Sequence, residues 1–345
     1  MKKYNTFGIV LLLFAFIYQN EEVTGMAKVK KLLKTTAKAA CLAGGAYLAT
    51  GAAIFEETLS RWGRINAGPE ELLNKPDVMQ EYLNSDVFRK ADDWYIASCP
   101  EETRLVNAVG ETLHAEIIRA KEESHRWVLI LHGYSSRPRS MARQGVVFHE
   151  MGYNVLLPYM RGHRKSEQNH CSMGYFDCYD VIDWITYVVS LDPDAQIVVM
   201  GCSMGGATTM LVTGEDLPDN VKCAIEDCGY TNCYTQFAEQ IANVLHVPKF
   251  PFLDAANLYA RLFYGWDFKD CSPIEAVARS KTPTLFIHGT EDDFVPFRML
   301  YEVYDACAAE KDILEVPDAG HDESCKTHPE IYWPKIKEFV AKYVD

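Results

Sequence analysis

Six short apolar, β-branched runs punctuate the chain, at residues 127–131, 154–157, 196–200, 222–225, 284–287 and 313–316. Runs of this length without polar alternation suit strands covered on both faces of a parallel sheet. Between most of them, apolar positions recur at helical spacing, as at residues 140–151, 179–189 and 299–308. Ahead of them, residues 104–118 read as two short strands around a turn at Gly110. An opening hairpin followed by alternating strands and helices predicts an α/β domain with a mostly parallel central sheet flanked by helices.

The longest interruption of this rhythm lies between Cys233 and Ser280. Helical patterns at 236–245 and 255–264, separated by the break Val247-Pro248-Lys249-Phe250-Pro251-Phe252, predict a small lid within residues 234–270 or a pair of ordinary surface helices.

Two apolar segments precede the domain. The first, residues 7–18, is too short to cross a hydrocarbon core of about 30 Å and has the character of a signal-peptide core. The second, residues 39–55, follows Lys28, Lys30, Lys31, Lys34 and Lys38 and precedes Glu56-Glu57. That charge order predicts an uncleaved anchor with the N-terminus in the cytoplasm and the body outside. The competing reading is a helix packed on the domain, with the body then cytoplasmic; Met26 is a second candidate start. Residues 1–66 are thus read as the N-terminal appendage and 67–345 as the body.

Composition narrows the function. The chain has 345 residues and a net charge of −14, and seven of its 34 basic residues fall within the first forty positions. The body is therefore strongly acidic and carries no basic, aromatic-studded stretch, which excludes a nucleic-acid partner. Eleven Cys residues form no repeated frame, and neither Cys171/Cys178 nor Cys228/Cys233 has zinc spacing, so they read as free thiols and no metal site is expected. So many free thiols fit a reducing setting better than an oxidising exterior.

Candidate chemistry centres on Gly201-Cys202-Ser203-Met204-Gly205, which follows one apolar run and precedes a small-residue stretch. Strand, Gly-bounded turn and helix form the setting of a nucleophile elbow. Serine needs a positioned base and a third group to fix that base. His321, in Ala319-Gly320-His321-Asp322 just past the last strand, is the preferred base over His328. Asp292, in His288-Gly289-Thr290-Glu291-Asp292-Asp293, is the preferred acid, with Asp293 the alternative and a candidate helix cap. The backbone N–H groups of Met204 and of Tyr134, in Leu131-His132-Gly133-Tyr134, are the expected oxyanion donors. Three features take plainer readings. His132 reads as a buried structural imidazole, and Cys202 as packing. Asp177, Asp180 and Asp183 read as acidic residues at a helix start.

Together these motifs, with Arg161-Gly162-His163 and Asp227-Cys228-Gly229-Tyr230-Thr231, resemble the α/β-hydrolase superfamily from about residue 103 to 343, in particular its bacterial serine aminopeptidase and lysophospholipase-like branch. The resemblance implies hydrolysis through an acyl-enzyme, with no metal and no cofactor, and fits an N-terminal membrane anchor. One departure is Arg164, at a position where relatives often have Gly. The expected reaction is cleavage of a carboxylic ester of an apolar acyl group, favoured by Phe250, Phe252, Leu253, Leu258, Leu262 and Phe263 in the insertion. Thioester cleavage, acyl transfer and aminopeptidase action share the machinery. A membrane-anchored binding protein with inactive chemistry is the reading of another class.

Overall fold

The computed structural model describes residues 26–60, 86–245 and 248–345; the apolar segment at 7–18 and the 66/67 boundary lie outside them. The chain divides into two units, Met1–Thr50 and Gly51–Asp345. What is described of the first is helical and belongs to α1 (Met26–Leu59). By length and composition alone, Thr35–Leu59 could cross a membrane, a test that signal sequences and soluble core helices also pass.

The last turns of α1, from Gly51, belong to the second unit. There Phe55 and Leu59 are fully buried, so the packed reading of this segment holds for its C-terminal end. After it come α2 (Asp86–Ser98), the hairpin β1 (Glu101–Val106) and β2 (Thr112–Ile118), and then β3 (Arg126–Leu131). The chain continues through α3 (Ala142–Glu150), β4 (Asn154–Pro158), α4 (Asp177–Leu191), β5 (Gln196–Cys202), α5 (Met204–Thr213) and β6 (Val221–Asp227). The insertion supplies α6 (Cys233–Gln240) and α7 (Lys249–Phe263). The last elements are α8 (Pro273–Val277), β7 (Thr284–Gly289), α9 (Arg298–Ala306), β8 (Lys311–Val316), α10 (Ser324–Thr327) and α11 (Pro329–Val340).

The eight strands form one sheet in the order β1-β2-β4-β3-β5-β6-β7-β8. β1 and β2 pair antiparallel, β2 pairs antiparallel with β4, and every later pairing is parallel. The absence of polar alternation has a direct cause. On β3, Trp127, Leu129 and Leu131 enter one apolar layer while Val128 and Ile130 enter the opposite one. β5 divides likewise, with Ile197 and Val199 on one face and Val198, Met200 and Cys202 on the other. Each fully buried aliphatic side chain contributes about 1.5–3 kcal/mol relative to exposure.

The parallel strands all run the same way, so the loops after β3, β4, β5, β6, β7 and β8 gather at one edge. Open α/β sheets place their ligands there. At the insertion, α6 is tied to that edge: Gln236 Nε2 and Gln240 Nε2 donate to the Phe294 carbonyl at 2.8 and 2.5 Å. Asn232 caps α6 by accepting from the Tyr234 and Thr235 amides. The apolar set expected here divides, since Leu253 is buried while Phe250, Leu262 and Phe263 are exposed.

Candidate active site

Ser203 sits between β5 and α5 with φ 56° and ψ −119°, a conformation costing a non-glycine residue about 1–3 kcal/mol. The surroundings hold it there. Its amide donates to the Asp227 carbonyl at 2.8 Å, and its own carbonyl accepts the first helical bond from Ala207 at 2.9 Å. The flanking glycines are dictated by space: a Cβ on Gly201 would lie 2.1 Å from the Gly205 carbonyl oxygen, and one on Gly205 2.1 Å from that of Leu131. Met204 is the first residue of α5, and the opening amides of a helix have no acceptor within it.

His321 lies in the loop after β8 and Asp292 in the loop after β7. His321 Nε2 is 2.8 Å from Ser203 Oγ, and Nδ1 is 2.8 Å from Asp292 Oδ2. A carboxylate only accepts, so Nδ1 carries a proton toward Asp292 and, in the neutral ring, Nε2 accepts from the serine hydroxyl. Asp292 is itself fixed, because its Oδ1 accepts the amides of Phe294 and Val295 at 2.9 and 2.8 Å. The ring of His288, 3.1 Å from Oδ2, also donates from Nε2 to the Val295 carbonyl at 2.9 Å. Burial works against the Asp292 charge, but the His321 charge and hydrogen bonds from both imidazoles hold its carboxyl well below the usual carboxylate range. Burial likewise opposes protonation of His321, yet Asp292 raises it above the ordinary histidine value.

Thus Ser203, His321 and Asp292 come together in one hydrogen-bonded line. The two alternatives do not join it: Asp293 is exposed, and His328 pairs with Glu330 at 2.6 Å at the start of α11. Gly133 lies beside the line, and a Cβ placed there would be 3.4 Å from Ser203 Cβ. The Tyr134 hydroxyl donates to the Thr58 carbonyl. Phe294 packs over His321, with ring centroids 4.8 Å apart.

His132 is fully buried. Cys202 faces the opposite side of the sheet, where Gln144 Nε2 donates to its sulfur at 3.5 Å and burial pushes its thiol up. Asp177 and Asp180 do open α4, but they serve Arg161 in addition to the helix dipole. Asp177 accepts the Arg161 amide at 2.7 Å, and Asp180 takes its guanidinium at 2.6 and 2.8 Å. All eleven cysteines are free thiols, nine of them buried.

Among the described residues, donor atoms of Cys228, Asp292 and His321 all lie within 4.8 Å of one another, close enough to share a cation. Asp292 Oδ1, however, already receives two backbone amides and Oδ2 the His321 Nδ1–H, with the His288 Nε2–H shared between Oδ2 and the Val295 carbonyl, which suits a proton-holding line better than a metal centre.

Two supports escaped the sequence reading. His288 was visible within its motif but had no assigned role. Arg143, inside a predicted helix, carries no local signal of its reach to the loop of His321.

A serine at the β5 elbow, an acid after β7 and a histidine after β8 on this sheet define an α/β-hydrolase. The sequence matches the prolyl oligopeptidase family over residues 139–345, and the chain belongs to that family of serine hydrolases. Among curated proteins it is similar to the uncharacterized protein YqkD of Bacillus subtilis, 23% identical over 227 residues, 66% of this chain and 74% of YqkD. Among solved structures it is similar to the esterase Pf2001 of Pyrococcus furiosus, with TM-score 0.61 and 20% identity over 73% of this chain and 94% of that one. It is also similar to an acylaminoacyl peptidase of Pyrococcus horikoshii, with TM-score 0.54 and 19% identity over 71% of this chain and 41% of that one. At these identities the structural likeness establishes the fold.

Proposed function

We propose that the protein cleaves a carboxylic ester of an apolar acyl group through an acyl-enzyme on Ser203. The observation that carries this reading is the unbroken line from Ser203 Oγ through His321 to Asp292, with 2.8 Å at each step. His321 Nε2 takes the hydroxyl proton as Ser203 Oγ attacks the acyl carbon. The N–H groups of Tyr134 and Met204 receive the oxyanion, each such donor supplying roughly 3 kcal/mol to the transition state. His321 then passes its proton to the leaving alkoxide, and the acyl-enzyme forms. A water deprotonated by the same imidazole attacks it, and the carboxylic acid leaves. Asp292 holds the ring in the required tautomer throughout.

The apolar preference is supported by the Phe294 ring over His321 and by the burial of Leu253 in the insertion, which we read as a lid. The exposed Phe250, Leu262 and Phe263 do not contribute to it. We further read the apolar segment 39–55 as a membrane anchor through its turns ahead of Gly51, with the hydrolase unit outside the cytoplasm. Fractionation of chains started at Met1 and at Met26 tests that reading, and a wholly soluble pool from both contradicts it.

Peptide amides are the second substrate class, because the family is named for an oligopeptidase. A panel of p-nitrophenyl acyl esters and aminoacyl p-nitroanilides, run on the parent chain and on Ser203→Ala, separates the two. Ester turnover that vanishes in Ser203→Ala supports the proposal. Faster anilide than ester cleavage overturns the ester assignment and keeps the nucleophile. Unchanged ester turnover in the variant overturns both.

A further inference from the structure

The motif Arg161-Gly162-His163 takes no part in the Ser203–His321–Asp292 line, yet it lies against the loop that carries Tyr134. That loop makes a tight turn: the Ser136 amide donates to the Gly133 carbonyl at 3.3 Å, and Ser135 has φ 55°. Positive φ at the third residue of a turn is easy for Gly and costly for Ser. Something outside the turn must hold it.

Two imidazoles do so by a reciprocal exchange. His163 Nε2 is 3.0 Å from the Ser135 amide, and its Nδ1 is 2.8 Å from the Arg161 carbonyl oxygen. His132 Nε2 is 3.1 Å from the Met160 amide, and its Nδ1 is 2.8 Å from the Gly133 carbonyl oxygen. Backbone amides only donate and carbonyls only accept. Each ring is therefore the neutral Nδ1–H tautomer, which donates within its own loop and accepts from the other loop. The two rings meet edge to face with centroids 5.0 Å apart, and both are buried.

The loop after β4 is a firm support. Its Arg161 amide is bound by Asp177, and the Arg161 guanidinium by Asp180 and, at 2.7 Å, by Glu111. Gly162 donates to Ser166 Oγ at 3.0 Å. The His163 ring also stands edge-on to the Tyr134 ring, with centroids 6.2 Å apart.

We propose that His132 and His163 are positioning residues that lock the turn at Gly133–Ser136 so that the Tyr134 N–H stays aimed at the oxyanion beside Ser203. This rests on the reading of Ser203 as nucleophile and Tyr134 as donor. Neither imidazole exchanges a proton with substrate. A loosened donor leaves ground-state binding intact and weakens only the transition state, so the loss falls on kcat and spares KM.

The test uses the full chain and replaces His163 by Ala, Asn and Gln. The Gln side-chain oxygen reaches the place of Nε2 and can accept from Ser135; the Asn oxygen reaches only the place of Nδ1. We measure kcat and KM on a p-nitrophenyl ester, the rate of fluorophosphonate labelling of Ser203, and the melting temperature. His163→Ala and His163→Asn should lose roughly tenfold to a hundredfold in kcat and in labelling rate with KM little changed, and His163→Gln should recover most of both. Parent-like rates in His163→Ala, or equal losses in a folded His163→Gln and His163→Asn, overturn the inference. A parent chain that neither turns over nor takes label overturns the functional reading itself, a result that no His163 variant can produce.

Discussion

Arg143 holds Asp322, the residue directly after His321. Its Nη2 lies 2.9 Å from the Asp322 carboxylate, and its Nη1 donates to the Asp322 carbonyl at 3.3 Å. Asp322 has φ 59°, and the Arg143 side chain is buried. A helix on one side of the sheet thereby fixes the loop that delivers the imidazole.

Replacing Arg143 by Met removes its hydrogen bonds to Asp322, and the one to Cys325 Sγ, while keeping the bulk of the stem. Chemical denaturation should show a loss of about 1–2 kcal/mol, modest because Asp322 can still reach water. The kcat should fall further than this stability loss explains, since the loop of His321 gains freedom; unchanged kcat would separate Arg143 from the imidazole.

Asp292→Asn tests the electrostatics of the line. The base must be neutral to accept the serine proton, so activity rises with pH through the His321 pKa. Asp292 holds that pKa above the ordinary histidine value. The parent acid limb should therefore have its midpoint above about 6.5, the unperturbed value. In Asp292→Asn the midpoint should move to lower pH, and kcat should drop by about four orders of magnitude through loss of the correct tautomer. A midpoint that moves up contradicts the assignment.

The last turns of α1 are part of the hydrolase core. Phe55 stacks on Tyr264 with centroids 4.4 Å apart and meets Tyr259 edge-on at 5.6 Å, while Glu56 accepts from both tyrosine hydroxyls. Phe55→Ala should destabilise the unit by about 3–5 kcal/mol in a denaturant titration. A loss below about 1 kcal/mol would mean that this segment is dispensable.

These elements show how far the sequence could be read. The central strands were legible because burial on both faces leaves unbroken apolar runs, as at Val198–Met200. Ser203, Asp292 and His321 were legible because each follows such a run at the same sheet edge. The packing of Phe55 was hidden, since an Ala- and Gly-rich helix has one composition whether it faces lipid or protein. The exchange between His132 and His163 was hidden too, because it depends on backbone amides 28 residues apart in the chain, which no local pattern encodes.

Arg164 has φ 46°, a left-handed conformation that Gly adopts without strain. Arg164→Gly relieves a left-handed side chain costing about 1–2 kcal/mol and adds backbone freedom in the unfolded chain. Thermal unfolding should show a gain of about 0.5–1 kcal/mol with activity retained. Destabilisation would show that the Arg164 side chain makes contacts worth more than the strain.

Covalent labelling of Ser203 is the most direct measurement of the central claim. The folded chain is incubated with a fluorophosphonate, and the adduct is located by mass spectrometry of the intact protein and of its peptides. The account predicts a single adduct on Ser203, formed faster as His321 deprotonates and absent in Ser203→Ala. No adduct on the folded parent chain, or an adduct that persists in Ser203→Ala, would contradict it.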